Sequence, residues 1–219
     1  MKKILIGTAT YNEVTNIEKL IKKINKLELN LDIIIVDDNS PDGTSKKIKE
    51  LKTKFSNIIL IKRNKKTGLD TAHKIIFNYA NKNKYMYLIT LDADLSHDPR
   101  LIKVFLKNIK NYDTVLGSRY IKGGKNELRG WRFLISKYGN LIIKKILNSK
   151  LNEFTTSYRC FDLKKLKNFD LKRVQAKGYS FFMNTVYLLE KNNYNIKEIP
   201  IKFHERQDGK SKIPKIEIF

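Results

Sequence analysis

The chain has 219 residues, 41% of them hydrophobic, which suffices for the core of one α/β-sized domain but not of two. No run approaches the ~18 consecutive apolar residues of a membrane-spanning helix, and the opening MKKILIGTATYNE reads as a first strand rather than a signal peptide. A single cysteine, Cys160, excludes an internal disulfide, and no Cys/His spacing suggests zinc, so the cytosol is the expected compartment.

The formal net charge of +23 suits an anionic partner such as nucleic acid, a membrane surface or a phosphorylated ligand. Lysines outnumber arginines 37 to 8, however, and Asn and Ile are abundant too, so a coding bias explains the charge equally well. The arginines carry more information, because a guanidinium fork grips phosphate as an ammonium cannot. Five of the eight (Arg119, Arg129, Arg132, Arg159, Arg206) fall in the later, glycine-punctuated segments. A nucleic-acid-binding module would need aromatic-interleaved basic faces, which are lacking.

In chain order, apolar runs predict a strand at 4–9, a helix at 16–27, a strand at 31–36 running into Asp37 and Asp38, and a helix at 44–55. A strand at 58–61, a helix at 71–80 and a strand at 86–91 follow. A further helix begins after Pro99, and a strand occupies 114–117. This alternation predicts a mostly parallel, Rossmann-like sheet with helices on both faces. Ligands of such sheets sit beyond the carboxyl ends of the strands. That rule gathers three polar tips, Thr10-Tyr11-Asn12-Glu13, Asp37-Asp38-Asn39-Ser40 and Asp92-Ala93-Asp94, into one expected crevice.

In LDADLSHDP, carboxylates one residue apart at a strand end can hold a divalent cation through oxygen ligands. Alone, Asp-x-Asp is more often a loop or helix cap, and its place after a buried strand, with a second acidic strand end upstream, is what favours the ion. In DDNSPDGT, Pro41, Asp42 and Gly43 read as turn residues, with Asp42 or Thr44 capping the next helix. Asp37 and Asp38 close an apolar strand and need partners, such as nucleotide base or ribose hydroxyls. Residues 131–142 place Trp131, Leu134, Ile135, Tyr138, Leu141 and Ile142 at helical spacing, suited either to a membrane interface or to core packing. Tyr179, Phe181, Phe182 and Tyr187 are expected in the core. His73, His97 and His204 lack a metal-ligand pattern, and His97 is expected to belong to the turn after Asp94.

The motifs TYNE, VDDNSPDGT, LDADLSHDP, GSRYIKGG and HERQDGKSK, in this order, closely resemble those of dolichyl-phosphate mannose synthases and related polyprenyl-phosphate glycosyltransferases over nearly the whole chain. The resemblance implies a single GT-A catalytic domain over 1–219 and a metal-dependent hexosyltransferase. It implies GDP-mannose as donor, Mg2+ or Mn2+ as cofactor, a dolichyl or polyprenyl phosphate acceptor, and inversion at the sugar carbon. It also implies a peripheral position on the cytosolic face of a membrane, the endoplasmic reticulum in a eukaryote, with a membrane-anchoring subunit as a possible partner. By the same resemblance Thr10, Tyr11, Glu13, Asp37, Asp38 and Asp92 contact the nucleotide sugar, and Asp94 with Ser96 holds the metal. Arg119, Arg132, Ser136 and Lys212 receive the acceptor phosphate. The catalytic set is Asp92, Asp94, Arg119 and Arg206, with Arg206 and Lys212 closing over the site, and Arg129 takes no role. Alternatives are a UDP-glucose donor, a saccharide acceptor, or a non-catalytic sugar-nucleotide scaffold.

Three departures stand out. Ala9 precedes TYNE where the family usually has proline. Asp70 replaces a glycine near the donor phosphates, where its charge would repel them. The family's D-x-TSGFR becomes Glu153-Phe154-Thr155-Thr156-Ser157-Tyr158-Arg159, lengthening the acid and losing the glycine near the acceptor. The end at KIEIF resembles either members without C-terminal membrane helices or a shortened chain.

Overall fold

A computed structural model of the protein describes residues 3–206; Lys212 lies outside them. The sheet is built on strands β1 (Ile4–Thr10), β2 (Leu31–Asp37), β3 (Ile58–Lys62), β4 (Tyr87–Thr90) and β5 (Thr114–Ser118). A two-residue strand β6 (Lys125–Asn126) follows, then β7 (Arg159–Asp162), β8 (Ile196–Pro200) and a second short strand β9 (Lys202–Phe203). Seven strands form one sheet in the order β3-β2-β1-β4-β7-β5-β8, and β6 pairs with β9 beside it. All sheet pairings are parallel except those of β7, which runs antiparallel to β4 and β5. The helices are α1 (Val14–Asn25), α2 (Thr44–Lys54), α3 (Leu69–Lys82), α4 (Ile102–Asn108), α5 (Gly130–Ile146) and α6 (Ser180–Lys191).

The period-2 alternation of the strands explains why the middle of the sheet is apolar without a break. In β2, Ile33 and Ile35 face one core with Ile17, Ile21 and Ile24 of α1 and Ile48 of α2. Ile34 and Val36 face the other, with Ile76 and Phe77 of α3 and Phe181 and Phe182 of α6. Gly7 is dictated by this packing, since a Cβ there would stand 2.4 Å from Cγ2 of Ile76. Only glycine lets α3 lie this close to β1.

The strands and helices foreseen from the sequence are present, with ends shifted by a few residues. In the other half of the sheet β5 matches the expected strand at 114–117, whereas β7 and β8 have no counterpart among the expected strands. β7 is four residues long and carries Arg159, buried among apolar neighbours, so it gives no hydrophobic run. β8 ends in proline, which suits the outer strand it forms.

Candidate active site

The order β2-β1-β4 sets the three polar tips side by side at the carboxyl edge. Side-chain bonds then join them. Thr10 Oγ1 donates to Asp37 Oδ1 at 2.9 Å, the Asn12 amide donates to Ser40 Oγ at 2.9 Å, and the Glu13 amide donates to Thr44 Oγ1 at 2.9 Å. Asp42 accepts from the amides of Val14 and Thr44 and from Thr44 Oγ1. It thus ties both loops together, a turn role as its residue type suggests. Asn12 and Asn39 take left-handed backbone at φ 57°, which asparagine tolerates, whereas Leu95 at φ 63° is a costly choice for a branched side chain. Leu95 is held there by burial in the core, and it turns the chain between Asp94 and Ser96.

The acids of the crevice have distinct environments. Asp37 is fully buried and accepts from Thr10 Oγ1, Ser40 Oγ, the Ser40 amide and Ser45 Oγ, at 2.5 to 3.1 Å. These four donors use the acceptor capacity of both oxygens. Asp37 thereby builds the loop that presents its neighbour Asp38. Asp38 pairs with Arg63 and accepts from the Gly68 amide at 3.1 Å. Arg63, at the end of β3, also donates to Thr71 Oγ1 and to the Gly68 carbonyl. Sequence reasoning passed over Arg63, although the strand-end rule that gathered the other tips points to it as well. Tyr11 is half-buried, with Lys66 Nζ 4.3 Å above its ring.

Asp92 keeps 35% of its side chain open to the crevice. Its Oδ1 accepts from Ser157 Oγ at 2.6 Å, and its amide donates to His97 Nδ1 at 3.2 Å. That bond makes Nδ1 an acceptor, so the neutral His97 ring carries its proton on Nε2. Burial lowers the His97 pKa, which favours this neutral form, and the ring stacks 4.9 Å from Tyr158. Burial pushes the Asp92 carboxyl up, and the nearby Asp94 adds to the push against the hydrogen bond from Ser157 and the charge of Arg206. Asp94 goes the other way. Burial would raise it, but Arg206 and two bonds from Ser96 outweigh that and hold it below the usual carboxylate range. Arg206 reaches across the crevice, with Nη2 2.8 Å from Asp94 Oδ2 and Nη1 3.1 Å from Glu13 Oε1. Glu13 Oε2 also accepts from Asn16 Nδ2.

On the other side, Arg119 is buried and makes a two-pronged pair with Glu153, Nε and Nη2 each 2.7 Å from a carboxylate oxygen. Nη2 also donates to Thr155 Oγ1, and the guanidinium lies over Tyr120 and Phe203. Burial would raise the Glu153 carboxyl, yet Arg119 and the Thr155 bonds hold it low. Tyr120 OH meets Ser136 Oγ of α5 at 2.6 Å, so Tyr120 lies between that helix and Arg119. Arg132 lies one turn before Ser136 on the same face of α5 and is exposed.

Other expectations divide. Asp70 is buried and accepts from the Gly178 amide at 3.2 Å, so its carboxylate is engaged by the loop before α6 rather than standing bare against the donor site. Phe181 and Phe182 are core residues, but Tyr179 and Tyr187 are exposed and do not belong with them. His73 packs edge-on against Phe182, and His204 pairs with Glu127 at 3.0 Å. On α5 the apolar side chains singled out from the sequence stay outside: Trp131 is 51% exposed and Ile142 56%, Ile146 beyond them is 76% exposed, and only Asn140 of the helix is buried. The core alternative for these residues is thereby removed. No described helix is long and apolar enough to cross a membrane.

A divalent ion fits the Asp94 corner. The donors there are hard oxygens, Asp92, Asp94 and Ser96 Oγ, and a guanidinium already stands against Asp94 as a cation. Among the described residues no group of three His, Cys, Asp or Glu forms a complete cage, as suits an ion that takes its remaining ligands from a diphosphate and water.

The profile of the family described as Glycosyl transferase family 2 matches residues 5–169. A polyprenol monophosphomannose synthase of Mycolicibacterium smegmatis is 31% identical over 217 residues, covering 97% of this chain and 81% of that protein. An undecaprenyl-phosphate mannosyltransferase of Micrococcus luteus is 30% identical, covering 96% and 87%. A dolichol-phosphate mannosyltransferase of Pyrococcus furiosus is 34% identical and covers 99% of this chain, which spans 61% of that relative. Among solved structures, a mannosyltransferase from Pyrobaculum calidifontis in complex with GDP-Man and Mn2+ superposes with a TM-score of 0.61 at 16% identity, over 90% of this chain and 55% of that one. A glucosyl-3-phosphoglycerate synthase from Mycobacterium tuberculosis in complex with UDP gives 0.65 at 14% identity, over 99% and 75%. These distant structures speak for the GT-A fold alone. The matched stretch contains the tips of β1, β2 and β4 and the loop bearing Glu153, hence every acid of the crevice: the chain belongs to glycosyl transferase family 2.

Proposed function

We propose that this glycosyltransferase moves mannose from GDP-mannose to the phosphate of a polyprenyl or dolichyl lipid, with inversion at the sugar carbon. One observation carries the reading. The crevice has acids at one end, for a cation and a diphosphate, and at the other Arg119 lies against Tyr120, whose hydroxyl meets Ser136 on α5, the helix that bears the exposed apolar side chains. A phosphate attached to a long hydrocarbon matches that juxtaposition of guanidinium and bare apolar helix. The names of the relatives at about 30% identity point the same way.

In this account Thr10, Tyr11, Glu13 and Asp38 hold the nucleotide, while Asp37 shapes their loop. Asp94 and Ser96 hold Mg2+ or Mn2+, and Asp92 faces the sugar and ribose. When bound, the ion neutralises the diphosphate and eases its departure. A phosphate monoester is largely dianionic at pH 7 and attacks without a strong general base. Arg119, with Arg132 and Ser136, orients that phosphate for attack on the face opposite the leaving diphosphate. The carbon–oxygen bond to GDP breaks as the bond to the lipid phosphate forms, and this single displacement inverts the carbon. Arg206, which spans Glu13 and Asp94, is placed to turn to the diphosphate as its charge grows. The face of α5, with Arg132, Lys137, Lys144 and Lys145 around it, rests the enzyme on the membrane that carries the acceptor.

The test is transfer in detergent from GDP-mannose or UDP-glucose, with Mn2+, to undecaprenyl phosphate or to free mannose. Lipid-extractable mannose formed from GDP-mannose is expected. Transfer from UDP-glucose instead, or to the free sugar alone, overturns the reading.

A further inference from the structure

We propose that Ser157 is a positioning residue for the donor, acting through Asp92. β4 and β7 pair antiparallel with Thr90 opposite Arg159, and continuing that register by two residues sets Asp92 opposite Ser157. The two side chains meet there, Ser157 Oγ donating to Asp92 Oδ1 at 2.6 Å. Ser157 is itself fixed, being buried, with its carbonyl accepting from Thr90 Oγ1 at 2.6 Å. That bond fixes the backbone from which the hydroxyl is presented. Asp92, by contrast, is the acid of the crevice with a third of its side chain open, and the nearest cationic candidate, His97 Nδ1, stands 3.7 Å from Oδ2 and acts as an acceptor from the Asp92 amide. Ser157 is therefore the group that fixes the Asp92 carboxylate, holding Oδ1 and leaving Oδ2 for the ligand. With glycine at 157 no hydroxyl would stand there and the carboxylate would rotate about its own bond.

The same short loop reaches the other side of the site. Glu153 grips Arg119, and its Oε1 also accepts from the Thr155 and Thr156 amides. Residues 153–157 thus hold a donor-facing acid at one end and an acceptor-facing arginine at the other. This predicts a division of effects: loss of the Ser157 hydroxyl disturbs the donor and spares the acceptor.

The inference rests on the donor reading above, and its test separates the two. GDP-mannose affinity with Mn2+ is measured for wild type, Ser157→Ala, Ser157→Thr, Asp92→Ala and the Asp92→Ala/Ser157→Ala double variant. Steady-state KM values for both substrates are measured alongside. A hydrogen bond to a charged group predicts about tenfold weaker donor binding in Ser157→Ala, near-normal acceptor KM, and recovery in Ser157→Thr. In the Asp92→Ala background the serine substitution should cost nothing further, which a purely structural role for Ser157 would not produce. Unchanged donor affinity in Ser157→Ala, or an equal loss with Asp92 already removed, overturns the role of Ser157 alone. A wild-type protein that binds no nucleotide sugar overturns both.

Discussion

At the scale of single residues, the crevice separates side chains that meet a ligand from those that hold another side chain in place. In the proposed function Arg119 does both, because its guanidinium is also the counter-charge of buried Glu153. Removing one partner of a buried pair is costly, so Arg119→Ala should lose about 3–5 kcal/mol of stability in urea unfolding, whatever it does to activity. Arg119→Lys keeps a charge near Glu153 and gives up the fork, and it should raise the acceptor KM about tenfold with GDP-mannose affinity unchanged. A lysine variant with normal acceptor KM would remove Arg119 from the acceptor site. The sequence made the residue types legible but not this division of labour. Asp37 and Asp38 are adjacent acids at one strand end, yet only the folded chain shows Asp37 enclosed by four donors and Asp38 set against Arg63.

At the scale of elements, α5 could not be settled from its pattern, because apolar residues at helical spacing face a core and a membrane alike. The structure takes Leu134, Leu141 and Ile142 out of the core, while Ile143 and Leu147 pack inward on Leu116, Phe154 and Val186. Replacing Leu134, Leu141 and Ile142 together by serine should change stability by only about 0.5 kcal/mol per site, as for exposed positions. It should reduce co-sedimentation with anionic lipid vesicles severalfold. Loss of stability without loss of vesicle binding would show that this face packs on protein instead. The parallel β1-to-β4 half was legible because each strand there is a run of branched apolar residues ending in polar ones. β7 was hidden by its buried arginine, and β8 by its alternation and terminal proline.

At the scale of the whole molecule, the second core encloses a buried titrating group. Burial, helped by the charge of Arg159, pushes the pKa of His73 down to about 3 from 6.5. The unfolded chain therefore takes up a proton near pH 6.5 that the folded chain refuses until about pH 3. Stability is lost as the pH falls through that window, by up to about 1.4 kcal/mol per pH unit from this residue. His73→Phe should flatten the decline, so urea midpoints at pH 7, 6 and 5 should converge between variant and wild type toward low pH; parallel profiles would contradict it. The sheet as a whole gathers one acidic crevice within a chain of net charge +23, and the proposed function gives that crevice a purpose, to bind a cation against the donor diphosphate. The most direct measurement is calorimetric titration of GDP-mannose into the wild-type protein and into Asp94→Asn, each with and without Mn2+. Tight binding only in wild type with Mn2+ is the expected result. Equal binding without the metal, or undiminished binding by Asp94→Asn, would contradict the account.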